Sequence, residues 1–180
     1  MFKVLDEVCQ PTRATKYSAM VDLYAREDVV IGILETKIVP LGIKIHIDGT
    51  DAYNIKLDGG LNPRTTCVTD KEAINIFKST HFLELYPQDI LISKGLIIGV
   101  RGINLDYPDE IGLIVHSPAK QVGLGNGYGN PYIIGVGGTN SFIIKKGDKV
   151  AQCTLKEHKG YLLGIESDVE RTGGFRSTDK

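Results

Sequence analysis

The sequence predicts an all-β domain, a sandwich or barrel of short strands with one short helix. Three observations lead there. Apolar runs of strand length are broken by Gly, Pro and charged turns at intervals of about eight to twelve residues. Within them, "KIHI" alternates strictly between polar and apolar. Only one segment combines helical spacing of apolar residues with a helix start signal. The chain of 180 residues is long enough to bury a substantial core and carries no linker or internal repeat, so one domain over 1–180 is expected.

In chain order, "VVIGILETKIVPLGIKIHID" reads as strands separated by tight turns. "TDKEAINIFK" opens with Thr69 and places Glu72 three residues on, a capping box, after which Ala73, Ile74 and Phe77 share a face. That spacing predicts a helix over about 70–78. "HFLELYP", "GLIIGV", "EIGLIVHS", "SFIIKKGDKVAQCTL" and "YLLGIES" return to strand patterning. Between them, "PAKQVGLGNGYGNPYIIGVGGTN" is too rich in glycine for core strands and reads as an extended loop or hairpin excursion. The end, "RTGGFRSTDK", holds almost nothing to bury, so a flexible tail over 167–180 is expected.

Composition narrows the setting. Apolar residues make up 42% and charged residues 24%, the balance of a soluble globular protein. A formal charge of −1 argues against general nucleic-acid binding, which needs a basic excess. No run approaches the length of a membrane span, and the N-terminus carries no secretory pattern. Cys9, Cys67 and Cys153 are few, odd in number and without metal spacing, so reduced thiols in a cytoplasmic setting are expected.

The chemistry falls in five short places. "SAMVDLYA" sets Asp22 in an apolar stretch, where a structural role at a turn or strand end is the plain reading. "LYPQDILISKG" follows a strand and offers Gln88, Asp89 and Ser93 at a turn that could face phosphate. "GINLDYPDEIG" reads as strand, turn, strand, with Tyr107 at the bend beside Asp106 and Asp109. It is either a platform for a flat or sugar-like ligand or an ordinary polar hairpin tip. "KKGDKVAQ" is a turn entering a strand in which the Gln152 amide needs a partner. The tail supplies backbone N–H groups at paired glycines and donors from Arg171, Arg176, Ser177 and Thr178. Phe175 adds a ring that can stack on a base.

The five stretches, taken in this order, resemble the motifs of the homotrimeric deoxyuridine triphosphatase (dUTPase) family. The likeness runs through "YSAMVDLYAREDVVIGILETKIVPLGIKIHI", "HFLELYPQDILISKGLII", "GINLDYPDEIGLIVHS", "IKKGDKVAQ" and "RTGGFRST". It leaves out two insertions, about 48–80 and about 118–140. The resemblance implies a β-barrel or jelly roll of three subunits with nucleotide sites at their contacts, each closed by a tail. It also implies Mg²⁺ on the triphosphate and hydrolysis of dUTP to dUMP and pyrophosphate. Carried onto this chain, Asp22 would hold a metal-bound water, Tyr107 would pack beneath the deoxyribose and Gln152 would orient phosphate or water. Phe175 would stack on the base while Arg171, Ser177 and Thr178 grip the terminal phosphates.

Three departures fall where the chemistry should be. The family's general base is an aspartate two residues before the Asp-Tyr pair, and here that position is Asn104, whose amide has no basic oxygen. The second motif has Pro-Arg-Ser, and here Pro87 is followed by Gln88 and Asp89, which removes a cation and adds an anion. The fifth motif has Gly after Phe, and here Arg176 follows Phe175, returning a positive charge. The expectation is a dUTPase-fold protein that binds or sequesters a nucleotide with hydrolysis impaired or absent. The alternatives are an active dUTP diphosphatase with Asp106 or Asp89 as substitute base, and a trimeric module whose insertions bind a protein partner.

Overall fold

The structure, a computed structural model, describes residues 1–51, 69–118, 141–165, 169 and 173. Among the described residues ten strands form four antiparallel sheets. The largest has the order β2 (Val21–Tyr24), β10 (Lys149–Glu157), β6 (His81–Pro87) and β7 (Arg101–Asn104). Three two-stranded sheets complete the fold. β1 (Phe2–Val4) pairs with β5 (Ile43–Ile45), β3 (Val29–Ile31) with β9 (Phe142–Ile144), and β4 (Thr36–Pro40) with β8 (Gly112–His116). The all-β class read from the sequence is the one observed.

One hydrophobic cluster holds these sheets together. It takes Leu23 from β2, Ile31 from β3, Val39 from β4, Ile43 from β5, Leu85 from β6, Leu113 from β8 and Ile144 from β9, all buried. In β6 the alternation is clean: Leu83 and Leu85 face inward while Phe82, Glu84 and Tyr86 face the other side. Cys153 lies on the inward face of β10, where burial pushes its thiol up to about 12, far from the reactive range. The turn between β4 and β5 needs Gly42. Its φ is 63°, and a Cβ there would stand 2.5 Å from the Cys9 sulfur.

The capping-box helix is α1 (Asp70–Thr80). The Glu72 N–H donates to the Thr69 hydroxyl, and the Thr69 N–H donates to the Glu72 carboxylate. Ala73 and Phe77 are buried, and the Phe77 ring stacks on His81 at 4.4 Å. The helix, which falls in the segment 48–80 that the likeness leaves out, runs straight into β6 and is anchored in the core by Phe77.

Two predicted strands are not strands over their described residues, 95–100 and 161–165. In "GLIIGV" only Ile97 pairs, through a bridge to His116, because Gly95 at φ 86° is closing a helix there. "YLLGIES" begins as a 3-10 turn, Gly160–Leu163, with Leu162, Leu163 and Ile165 exposed. A period of two describes how side chains would alternate, and it cannot supply a partner strand.

The second short helix, α2 (Asp89–Ser93), is absent from the sequence reading. Its signal was "ILISKGL". The Gly95 N–H donates to the Ile92 carbonyl and the Leu96 N–H to the Leu91 carbonyl, with Leu91 and Leu96 both buried. This is a Schellman closure with its hydrophobic contact. The predicted loop 118–140 and the tail lie, apart from Pro118, Val169 and Gly173, outside the described residues.

Replacing Phe77 by Ala should lower stability by about 3–5 kcal/mol, the range for emptying a buried aromatic site. Urea unfolding would measure it. A loss below about 1 kcal/mol would show that α1 is an appendage.

Candidate functional site

Asp22 is the centre of a buried, densely bonded polar cluster. It is 1% exposed, and with Ser117 it makes up the buried polar set there. Its backbone bridges Thr12, while its side chain takes donors from three segments. Oδ1 accepts from Gln152 Nε2 at 2.9 Å and from Gln88 Nε2 at 3.1 Å. Oδ2 accepts from Lys149 Nζ at 2.7 Å. Burial works to raise the carboxyl's pKa. The hydrogen bonds from Lys149 and Gln152, with the Lys149 charge and the Gln88 bond behind them, outweigh it and hold Asp22 below the ordinary aspartate range. The same contact holds Lys149 above the ordinary lysine value.

Local structure explains why these side chains meet. Gln152 is the cross-strand partner of Asp22, so both lie on one face of the sheet. Gln88 follows Pro87 at the end of β6 and precedes α2. Its side chain makes no cap bond to the helix because it is committed to Asp22. Lys149 was missed by the sequence reading, and the reason is a β-bulge. Residues three apart on a regular strand face opposite ways, but the register slips between Lys149 and Ala151, where β2 pairs Tyr24 and Leu23 with them. The bulge brings Lys149 and Gln152 to the same carboxylate. Lys149 is 43% exposed, so its stem reaches the buried pair from the rim.

The other predicted residues lie elsewhere. Asp89 is exposed at the first position of α2, where a negative charge suits the helix dipole, and the Ser93 hydroxyl donates back to the Ile90 carbonyl at 2.9 Å. Asn104 ends β7, exposed, and its carbonyl accepts the Tyr107 N–H at 3.1 Å to close the turn. Asp106 is exposed at that turn, whereas Tyr107 is only 4% exposed and belongs to the core cluster. Arg171, Phe175, Arg176, Ser177 and Thr178 fall outside the described residues.

Sheet register separates two parts of this set. Asp22 lies opposite Gln152 at one edge, and Asn104 lies opposite Phe82, which pairs with Lys156, at the other. Four residues along the strands and three strand spacings across put them roughly 19 Å apart. A base and a metal-water ligand serving one phosphorus must both stand within a few ångströms of it. Within one chain these two do not share a site.

The class defined by these features is an all-β domain carrying a buried carboxylate held by amides and a lysine. No family model and no curated protein sequence matches the chain. Solved structures do. The dUTPase from phage phi11 of S. aureus is 17% identical, with a TM-score of 0.56 over 98% of this chain and 97% of that one. The dUTPase from Streptococcus mutans is 16% identical, with a TM-score of 0.55 over 88% and 95%. The Staphylococcus bacteriophage 80alpha dUTPase is 16% identical, with a TM-score of 0.56 over 98% and 97%. The fold is therefore that of the dUTPases. The phi11 enzyme is described as having a species-specific insert, a mutant of it as showing the coordination of a structural Mg(II) ion, and a mutant of the 80alpha enzyme has been seen with the analogue dUpNHpp.

Mg²⁺ does not fit Asp22 as it stands. Each carboxylate oxygen is already taken by a donor, one of them an ammonium, and the group is almost entirely enclosed. No group of three or more His, Cys, Asp or Glu side chains could hold a metal among the described residues. Nor is any helix among them long and apolar enough to cross a membrane.

Asp22→Asn should destabilise the protein by about 1–3 kcal/mol, since it keeps one acceptor but turns a donor toward Lys149. Thermal unfolding would check this, and an unchanged midpoint would show that the cluster does not support the fold.

Proposed function

We propose that this protein binds a deoxyuridine-type nucleoside triphosphate at sites shared between the subunits of a homotrimer, with hydrolysis impaired. What carries the reading is the split across the sheet. The residues that the family resemblance assigns to one phosphate stand at opposite corners of a single chain, so a site needing both is completed by a second copy. The dUTPase fold over nearly the whole chain supports the nucleotide class. Exposed Leu162, Leu163, Ile165 and Val169, just before and at the start of the tail, support association, because apolar side chains gathered in one segment favour a covered surface.

Impairment rests on Asn104. It stands exposed at the position of the family's base, and an amide accepts hydrogen bonds without taking a proton. Lys149 returns one cation beside Gln88, where the family has Arg, although it is shared with Asp22. Sequestering a nucleotide would suit such a site. Asp106, exposed two residues after Asn104, favours one second reading, an active dUTP diphosphatase with a relocated base. The insertions at about 48–80 and about 118–140 are the proposed seat of any protein partner. The 80alpha enzyme is one of the phage dUTPases described as controlling transfer of virulence genes by a G protein-like mechanism.

Light scattering should give three copies of the 19.7 kDa chain, and a monomer at micromolar concentration would remove the composite site. Deleting 171–180 should weaken dUpNHpp binding at least tenfold, about 1.4 kcal/mol, in a calorimetric titration with the trimer intact. Equal affinity would give the tail another job.

Pyrophosphate release from dUTP should be at least about a hundredfold slower than in a dUTPase with the aspartate base, and Asn104→Asp should raise it. Adding Gln88→Arg with Asp89→Ser should raise it further, since the three residues act on one transition state. Brisk release by the native protein would make Asp106 the base and establish the enzyme reading.

A further inference from the structure

We infer that Asp22 is a positioning residue that fixes the Gln88 and Gln152 amides and binds no divalent metal. An ionised carboxylate only accepts, so each glutamine must turn its NH₂ toward Asp22 and its carbonyl oxygen away. Without that anchor either amide could rotate and present the opposite end. Asp22 therefore decides, through two other side chains, where the site offers acceptors. A metal is excluded on geometry. Oδ1 takes two donors, Oδ2 holds the Lys149 ammonium at 2.7 Å, and 1% of the residue is exposed. A second cation on Oδ2 would meet the ammonium at close range. Mg²⁺ also keeps several waters, for which an enclosed carboxylate leaves little room. Any divalent ion that a nucleotide brings is then carried by its phosphates.

This assignment bears on the proposed nucleotide site, but its first test does not need nucleotide. In protein labelled with ¹⁵N, Gln→Ala variants at 88 and 152 assign the two side-chain NH₂ signals. Excess Mn²⁺ should leave both as sharp as those of distant amides. Broadening of these two ahead of the rest would place the metal at Asp22 and overturn the inference. Lys149→Met, a change at a partly exposed rim residue, should admit Mn²⁺ and broaden both signals. No broadening there would show that the ammonium is not what keeps cations out. A second test uses dUpNHpp. Asp22→Asn should weaken its binding by the same factor, about tenfold, in Mg²⁺ and in EDTA. A loss confined to Mg²⁺ would restore Asp22 as a metal ligand. If native protein does not bind dUpNHpp at all, the nucleotide reading fails, and the Mn²⁺ arm still decides the role of Asp22.

Discussion

The buried charge of Asp22 is the constraint on which the rest of this structure turns. Enclosing a carboxylate costs several kcal/mol unless its oxygens are occupied by donors. Here the donors come from three places in the chain, and each arrives by a different device. Gln152 comes by cross-strand register, Gln88 by the turn that ends β6, and Lys149 by a bulge in β10. Meeting the need of one side chain thus fixes how β2, β6 and β10 sit against one another at that corner of the sheet. The apolar face beneath, with Leu23, Leu85 and Ala151, supplies most of the cohesion. The polar face supplies registration.

The same corner shows how a polar cluster and a helix start compete for one side chain. Gln88 makes no cap to α2 because it serves Asp22, and α2 is closed at its other end by the Gly95 turn. The Gln88 side chain is thereby held beside the carboxylate. Lys149 pairs with an enclosed partner while much of its own surface stays in solvent, so the pair is anchored on one side and accessible on the other.

Asn104 belongs to a different part of the molecule. It ends β7 and accepts the N–H that closes the turn into Tyr107, and that turn leads to β8 in the smaller sheet with β4. Tyr107 fastens the turn to the core. The turn is presented at the edge of the sheet, remote from Asp22.

The sequence by itself determined the all-β class, the capping-box helix, the alternation of β6 and the order of the five motif-like stretches. These depend on local spacing and on chemistry that neighbouring residues satisfy among themselves. It also located Asp22, Gln88 and Gln152 without showing that they touch, since a hydrogen bond between residues 66 or 130 positions apart leaves no local trace. Lys149 was hidden because a bulge reverses the face that period two assigns it. "GLIIGV" makes a single bridge, Ile97 to His116, and the described part of "YLLGIES" makes none, because pairing depends on the assembled sheets and not on local spacing. Tertiary structure alone settled that Asp22 is enclosed and paired with a lysine, and that Asn104 stands at the far corner. Both follow from strand order and register, which are long-range choices made by the core.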